Sequence, residues 1–233
     1  MRAALLLCLA ALLSDAGVSL AQVAGHVELL SDYRFRGESL TSGRPALQAA
    51  VSYDHPSGLF AGALASNIRI DPEVSGLGGQ IYAGYARPFT ARASWDVGLV
   101  TYLFPNPTRE QGYDYTEAFI GLSYDRLNAR LYYTDEYFGG GRAVYSEING
   151  SRPLGQRFVL IGHVGYLGHR EPRQPSSEAD DRSLVDFKAG IGLDLSGFTL
   201  ELSVVGTAGP QSACPAGTGH CDTGVVVSIA HRF

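Results

Sequence analysis

The stretch Thr223-Gly-Val-Val-Val-Ser-Ile-Ala-His-Arg-Phe233 alternates in a way that predicts a half-buried β-strand. From Val225 onward one parity is largely apolar and ends in an aromatic ring, whereas the other turns polar. The last residue of this strand is also the last of the printed chain. An apolar strand at the edge of a soluble sheet is open to aggregation, and closing the sheet into a barrel removes that edge. We therefore expect the last strand to pair with the first.

Eleven further segments alternate in a similar way, which makes twelve predicted strands. Most are about as long as a tilted strand needs to be to cross a bilayer, roughly 9–11 residues. The segments lie near 27–36, 45–54, 59–70, 80–87, 94–104, 115–124, 129–138, 144–152, 158–168, 185–195, 198–207 and 223–233. The sequence thus predicts an all-β fold: a transmembrane, antiparallel, up-and-down β-barrel of about twelve strands.

The connections between these segments alternate in length. Short turns are predicted at 55–58, 125–128 and 196–197, and long polar links at 168–184 and 208–222. Short periplasmic turns and long extracellular loops are typical of outer-membrane barrels. With an even number of strands, both termini are expected in the periplasm.

Charged side chains on the polar parity of the strands are expected to face the lumen, because on the lipid side they cost roughly 2–4 kcal/mol at the bilayer midplane. In the first predicted strand, Tyr33 and Phe35 have the opposite parity and are expected to face lipid. The predicted pore-lining residues are Asp32, Arg34, Arg36, Arg69, Asp96, Glu117, Glu136, Asp186, Lys188 and Glu201. Carboxylates outnumber basic groups among the charges predicted to face inward, which favours weak cation preference in an open pore.

A barrel of eight strands is filled by its own side chains, whereas a barrel of sixteen or more strands leaves a channel. A barrel of twelve strands lies between these two cases. Small residues expected to face inward, such as Ala63 and Gly98, favour a narrow pore. The alternative is a lumen plugged by paired charges. In that case the loops, including the acidic stretch 171–181, would bind a partner at the cell surface.

The amino-terminal segment predicts export. Arg2 precedes an apolar run from Ala3 to Leu13, and small residues lead to a cleavage position after Ala21. The run is too short for a membrane helix, which needs about 20 residues. Residues 1–21 are thus predicted to be a cleaved signal peptide and residues 22–233 a single barrel domain. A net charge of −5, with only one lysine, argues against a nucleic-acid partner.

The mature chain keeps two cysteines, Cys214 and Cys221, on either side of a flexible Gly- and Pro-containing segment. In an oxidising compartment this spacing predicts a disulfide. Two free thiols, or a zinc site that includes His220, are the alternatives. No metal or cofactor is predicted.

Several motifs carry a family resemblance: Ser31-Asp-Tyr-Arg-Phe-Arg-Gly37, Pro45-Ala-Leu-Gln48, Glu136-Tyr-Phe-Gly139, His163-Val-Gly-Tyr166 and Asp186-Phe-Lys-Ala-Gly190. They resemble the TorF-type porin family of proteobacterial outer-membrane proteins. The resemblance implies a Gram-negative outer-membrane barrel for the passive transport of small polar solutes, in contact with outer-membrane lipid and lipopolysaccharide. A final strand closing in Phe233 resembles the assembly signal that the barrel assembly machinery reads.

An enzyme acting on lipid is an alternative of another class, because some barrels of this size are phospholipases or lipid A deacylases. His163 lies in mid-strand, and His169 lies at an outer strand edge before an acidic loop. Neither belongs to a Gly-x-Ser-x-Gly or His-Glu-x-x-His motif. The chain is therefore predicted not to be an enzyme, and no catalytic residue is assigned.

Overall fold

The structure, a computed structural model, describes residues 22–70, 74–104, 113–170, 181–209 and 221–233. Twelve of the β-strands in these ranges form the barrel wall. The strands are β1 (Gln22–Leu30), β2 (Arg34–Phe35), β3 (Glu38–Ser39), β4 (Ala46–Asp54), β5 (Leu59–Arg69), β6 (Ser75–Pro88), β7 (Ala93–Leu103), β8 (Tyr115–Tyr124), β9 (Leu127–Thr134), β10 (Arg142–Leu154), β11 (Phe158–Arg170), β12 (Asp181–Leu195), β13 (Phe198–Ala208) and β14 (Gly224–Arg232). The predicted signal peptide, residues 1–21, lies outside the described residues.

The wall strands form one closed antiparallel sheet in which neighbours in sequence are neighbours in space. Strand β1 pairs with β4 on one side and with β14 on the other, where His26 lies opposite Arg232. Beyond β14, the backbones of Gly25 and Phe233 exchange two hydrogen bonds, of 2.9 and 3.0 Å. The predictions of a twelve-stranded barrel and of pairing between the first and last strands are confirmed.

The two ends of the barrel differ in their connections. Five short turns, which join β4–β5, β6–β7, β8–β9, β10–β11 and β12–β13, lie at the same end as the start of β1 and the end of β14; we call it the turn end. The other connections lie at the opposite end, the loop end. At the β12–β13 turn, Ser196 and Gly197 both have positive φ, as a two-residue type I′ hairpin requires.

Side chains alternate between the lumen and the outer surface. In β8, Tyr115, Glu117 and Phe119 are buried, whereas Ile120 and Leu122 are more than half exposed. Every wall strand contributes large apolar side chains to this outer surface. Such a continuous apolar surface is unfavourable in water, at about 25 cal/mol per Å², and matches the lipid-facing band of membrane barrels.

Residues 31–45, called the insert below, leave the wall after β1 and fold into the lumen. The prediction of a strand over 27–36 is therefore wrong beyond Leu30. Strands β2 and β3 form a small hairpin whose turn residues, Arg36 and Gly37, have φ of 50° and 81°. Glu38 and Leu40 are each only 1% exposed, so the hairpin of the insert is enclosed by the wall, whereas residues 43–45, which rejoin the wall, are exposed.

Tyr33 and Phe35 face the interior, which corrects the prediction that they contact lipid. Both pack against the buried cluster inside the barrel, and the Phe35 ring lies 5.1 Å from that of Tyr102. Burial raises the pKa of Tyr33 to about 12. A segment inside the lumen can carry the same mixture of rings and charges as a wall strand. The alternation of residues 31–36 therefore does not distinguish the two.

A second departure from prediction follows β9, which ends at Thr134 rather than near residue 138. The chain continues into a 3-10 turn, Tyr137–Gly139, whose Phe138 has the left-handed φ of 48°. This backbone conformation directs the Phe138 ring into the lumen, 5.1 Å from the ring of Phe104. Within the described residues, no helix is long and apolar enough to cross a membrane.

Candidate functional site in the barrel lumen

The loop half of the lumen is packed with apolar and aromatic side chains. They come from the insert, from the loop-end connections and from wall strands around much of the barrel. The buried members are Leu40, Ile68, Ile70, Val74, Val100, Tyr102, Phe104, Tyr115, Phe119, Tyr137, Phe138, Ala143, Tyr145, Leu167 and Leu184. An open pore would leave wall side chains accessible to water, so the burial of these residues shows that the lumen is filled at this level.

Arg36 anchors the insert to the wall. Its guanidinium donates two hydrogen bonds to the Glu117 carboxylate on β8, with Nη1 2.9 Å from Oε1 and Nη2 paired with Oε2. The side chains are 3% and 1% exposed. A buried carboxylate without its cation carries a large desolvation cost, so this bidentate pair makes the two residues depend on each other.

Aromatic rings surround the Arg36 guanidinium. Its Cζ atom lies between 4.1 and 5.9 Å from the ring centroids of Phe35, Tyr102, Tyr132, Tyr137 and Tyr145. Burial alone would lower the pKa of Arg36, but the neighbouring Tyr137 and Glu117 raise it well above its ordinary value. The guanidinium therefore stays charged, and cation–π attraction adds to the ion pair.

Asp32 organises the hairpin of the insert. Its Oδ1 accepts hydrogen bonds from the hydroxyls of Ser39 and Thr41, and its Oδ2 pairs with Nε of Arg34. Arg34 also donates to the carbonyls of Gly37 and Asp222, at 3.1 and 3.0 Å. These bonds hold the hairpin together and connect it to the residues that precede β14.

Gly37, at the tip of the hairpin, lies close to β12 and β13. A Cβ atom at this position would lie 2.3 Å from Cγ2 of Thr207 and 2.9 Å from Cβ of Asp186. Only glycine permits this approach, and its positive φ is also suited to glycine. The tip of the insert therefore rests directly on the wall.

A hydrogen-bonded network around His163 lies beside the insert. His163 Nε2 is 2.7 Å from Oδ1 of Asp186, and its Nδ1 is 2.7 Å from Oδ1 of Asn149. The Tyr145 hydroxyl donates to Asp186, and Glu147 lies 3.9 Å from the imidazole. Tyr145 is one of the rings around Arg36 and also a member of this network. The surroundings of Arg36 and the network of His163 are therefore in direct contact.

Closer to the turn end the inward side chains are more accessible. Arg130 Nε lies 3.0 Å from Asp96, and Lys188 Nζ lies 2.6 Å from Glu201, with about a third of each basic side chain exposed. Inward residues such as Ser52 are likewise only partly buried. The lumen is thus more open towards the turn end and packed towards the loop end.

The predicted pore-lining residues fall into three groups. Asp96, Glu117, Asp186, Lys188 and Glu201 lie on the inward face of wall strands. The residues at 32, 34 and 36 are in the lumen, but on the insert rather than on the wall. Whether any of them lines a conducting path remains a prediction.

Arg69 and Glu136 form the third group, because neither faces the lumen as predicted. In β5, Ser66 and Ile68 are buried, so the exposed Arg69 has the outward parity. Glu136 is exposed and follows the end of β9, so it belongs to a connection rather than a strand. Parity was misassigned for Arg69, and strand length for Glu136.

Cys221 is buried and disulfide-bonded. Its predicted partner, Cys214, lies outside the described residues, as do residues 171–180 of the acidic loop. Within the described ranges, no group of three or more His, Cys, Asp or Glu side chains is arranged to hold a metal ion. His169 bonds through Nε2 to the Gly140 carbonyl, at 2.6 Å.

A bacterial protein family described as being of unknown function, Gcw_chp, matches residues 15–233. The chain belongs to the Gcw_chp family. No curated protein matches it in sequence. Among solved structures, the KdgM porin in complex with disordered oligogalacturonate is similar at a TM-score of 0.52 and 10% identity, over 92% of this chain and 99% of that one. The NanC porin is similar at a TM-score of 0.53 and 11% identity, over 90% of this chain and 98% of that one.

These likenesses show that this Gcw_chp chain shares the barrel fold of outer-membrane porins. The narrower TorF-type assignment stays a prediction. Sequence reasoning also missed several lumen residues: Glu38, Arg130, Tyr132, Tyr145 and Asn149. Arg130 could have been found from its parity, since it alternates with the apolar Ala129 and Leu131.

Proposed function

We propose that this protein is an outer-membrane channel for small polar solutes whose lumen is closed at the loop end by the insert. One observation carries the proposal: the barrel wall is complete without the insert. Leu30 and Ala46 are opposite each other in the β1–β4 ladder, so the wall is continuous where the insert leaves and rejoins it. The insert is therefore a separable closure of a finished barrel.

The outer surface supports the membrane location. Its apolar side chains occur on all twelve wall strands, and the fold is that of outer-membrane porins. With this orientation the loop end faces outside the cell and the turn end faces the periplasm. The solved neighbours are channels, in keeping with a barrel that is not an enzyme.

The charge inside the barrel supports weak cation preference. The inward-facing carboxylates of the wall include those of Glu28, Asp96, Glu117, Glu147, Asp186 and Glu201, and the inward-facing basic groups include those of Arg130, Lys188 and Arg232. Carboxylate-rich pores favour cations. The KdgM structure contains oligogalacturonate, whose sugars are acidic. We do not propose oligogalacturonate as a solute of this chain, because the carboxylates in the lumen would repel those of the sugar.

Liposome swelling with sugars of graded size tests the proposal. Residues 31–45 are replaced by Asn-Gly, a pair suited to a two-residue hairpin between Leu30 and Ala46. As a matched control, residues 171–180 of another loop-end connection are replaced by a Gly-Ser linker. We expect slow or no swelling with the parent and the control, and rapid swelling with the insert variant.

The second candidate function is an inert barrel that presents surface loops, and the buried insert also favours it. Under that proposal the remaining lumen side chains close the barrel by themselves. A folded insert variant that admits no solute would therefore refute the channel and support the inert barrel.

A further inference from the structure

Arg69, whose side chain points away from the lumen, is part of a cationic pocket on the outer surface of the barrel. The pocket lies at the loop end of β4, β5 and β6 and has a volume of about 420 Å³. Arg44, at the end of the insert, also lines it, together with Asn67, Ser75 and Leu77. Both arginines are exposed.

The pocket exists because strands β4 and β5 separate at this end. Their ladder begins at Gln48 and Ser66. Beyond that pair, the side chain of Asn67 replaces the ladder: its Oδ1 accepts from the Leu47 backbone at 2.7 Å, and its Nδ2 donates to the Pro45 carbonyl at 3.2 Å. The gap is thus held open by specific hydrogen bonds.

The arginines are available for an external ligand. No carboxylate of the described residues lies within ion-pairing distance of Arg44 or Arg69. Asp71 and Glu73 of the adjacent connection lie outside the described residues. Two guanidinium groups beside one pocket are suited to phosphate, which arginine binds through paired hydrogen bonds.

The surroundings of the pocket indicate that the phosphate belongs to a lipid. Leu77 lines the pocket and is 65% exposed, and the adjacent Leu47 is 58% exposed. Both belong to the apolar outer surface, so a ligand in the pocket would meet charge at its head and apolar side chains along its tail. A free phosphate ion would use only the first of these features.

We propose that Arg44 and Arg69 form a binding site for the phosphate of a glycolipid in the outer leaflet. The proposal rests on the membrane location given under the proposed function, but not on conduction through the lumen. The site would hold the lipid against β4–β6, beside the point where the insert rejoins the wall.

Titration of the folded mature protein in detergent with fluorescent bisphosphorylated lipid A tests this site. We expect the Arg44→Gln/Arg69→Gln variant to bind at least about tenfold more weakly, since charged hydrogen bonds are lost. The matched control is Arg152→Gln, which removes an exposed, outward arginine at the turn end. It should bind as the parent does.

Three results would overturn the proposal: equal affinity of the double variant and the parent, equal affinity of the parent for dephosphorylated lipid A, or displacement of the lipid by inorganic phosphate at a comparable concentration. The channel is tested separately, by the swelling of the variant in which Asn-Gly replaces residues 31–45. Failure of the lipid titration therefore leaves the channel standing, and failure of the swelling test leaves the lipid site standing.

Discussion

Glu117→Gln should release the insert from the lumen. The substitution keeps the size of the side chain and removes the charge that faces Arg36. The guanidinium, 3% exposed, would then be enclosed by aromatic rings without a counter-charge. An open lumen exposes it to water, so the free energy balance moves towards the released state.

The expected magnitude follows from the burial of the pair. Removing one partner of a buried ion pair costs about 3–5 kcal/mol. Every 1.4 kcal/mol changes an equilibrium about tenfold, so the ratio of released to seated insert should rise by roughly 100- to 4000-fold. The lower part of this range is expected, because the glutamine oxygen still accepts one hydrogen bond and the rings remain.

Single-channel currents in planar bilayers measure the effect, and Glu117→Gln should open far more often than the parent. Two controls accompany it. Arg36→Met/Glu117→Leu removes both charges and fills their space with apolar groups, which is often neutral for stability, so this variant should stay closed. Glu201→Gln removes a carboxylate that pairs with Lys188 rather than with the insert, and should also stay closed. If a folded Glu117→Gln barrel conducts no more than the parent, the insert is not held by this pair.

Three further outcomes are expected. Deleting Phe233 should lower the yield of outer-membrane protein far more than Val225→Ala does, because deletion removes the two backbone hydrogen bonds to Gly25; equal yields in membrane fractions would contradict this. Asp186→Asn should lower the free energy of unfolding, measured by urea denaturation, by about 1–3 kcal/mol, because it weakens the buried hydrogen bond to His163. An unchanged urea midpoint would contradict a stabilising role for the network around His163. Reversal potentials across a salt gradient, measured on the opened Glu117→Gln channel, should show weak cation preference. Clear anion preference would be evidence that the inward carboxylates do not set the selectivity.

The wall of the barrel could be predicted from sequence because lipid imposes a simple rule. Each strand must present an apolar residue at every second position, as β8 does from Ala118 to Leu122, and a closed sheet must alternate its turns and loops. The strand count and the closure between β1 and β14 followed from these two constraints. Strand ends were harder to predict, because no such rule applies beyond the membrane. The predicted end of β9, near residue 138, was therefore too late.

The insert could not be predicted, because its alternation satisfies the same rule by accident. Residues 31–36 place rings and charges on opposite parities, yet both sets are buried or partly buried inside the barrel. The decisive information is non-local: Arg36 and Glu117 are 81 residues apart in the chain. Gly37 was the one local clue, since a glycine after Arg36 permits the turn that ends a strand.

The attachment of the insert has a consequence for how the barrel would open and reclose. Both of its ends are fixed at adjacent positions of one rim, and its fifteen residues, 31–45, form a short tether. A released insert would thus remain at a local concentration near the millimolar range typical of short linkers. Reclosing is then a unimolecular step that needs no diffusing partner and does not depend on the amount of protein. The frequency of opening becomes a property of each molecule, set by how strongly the insert is held in its own lumen.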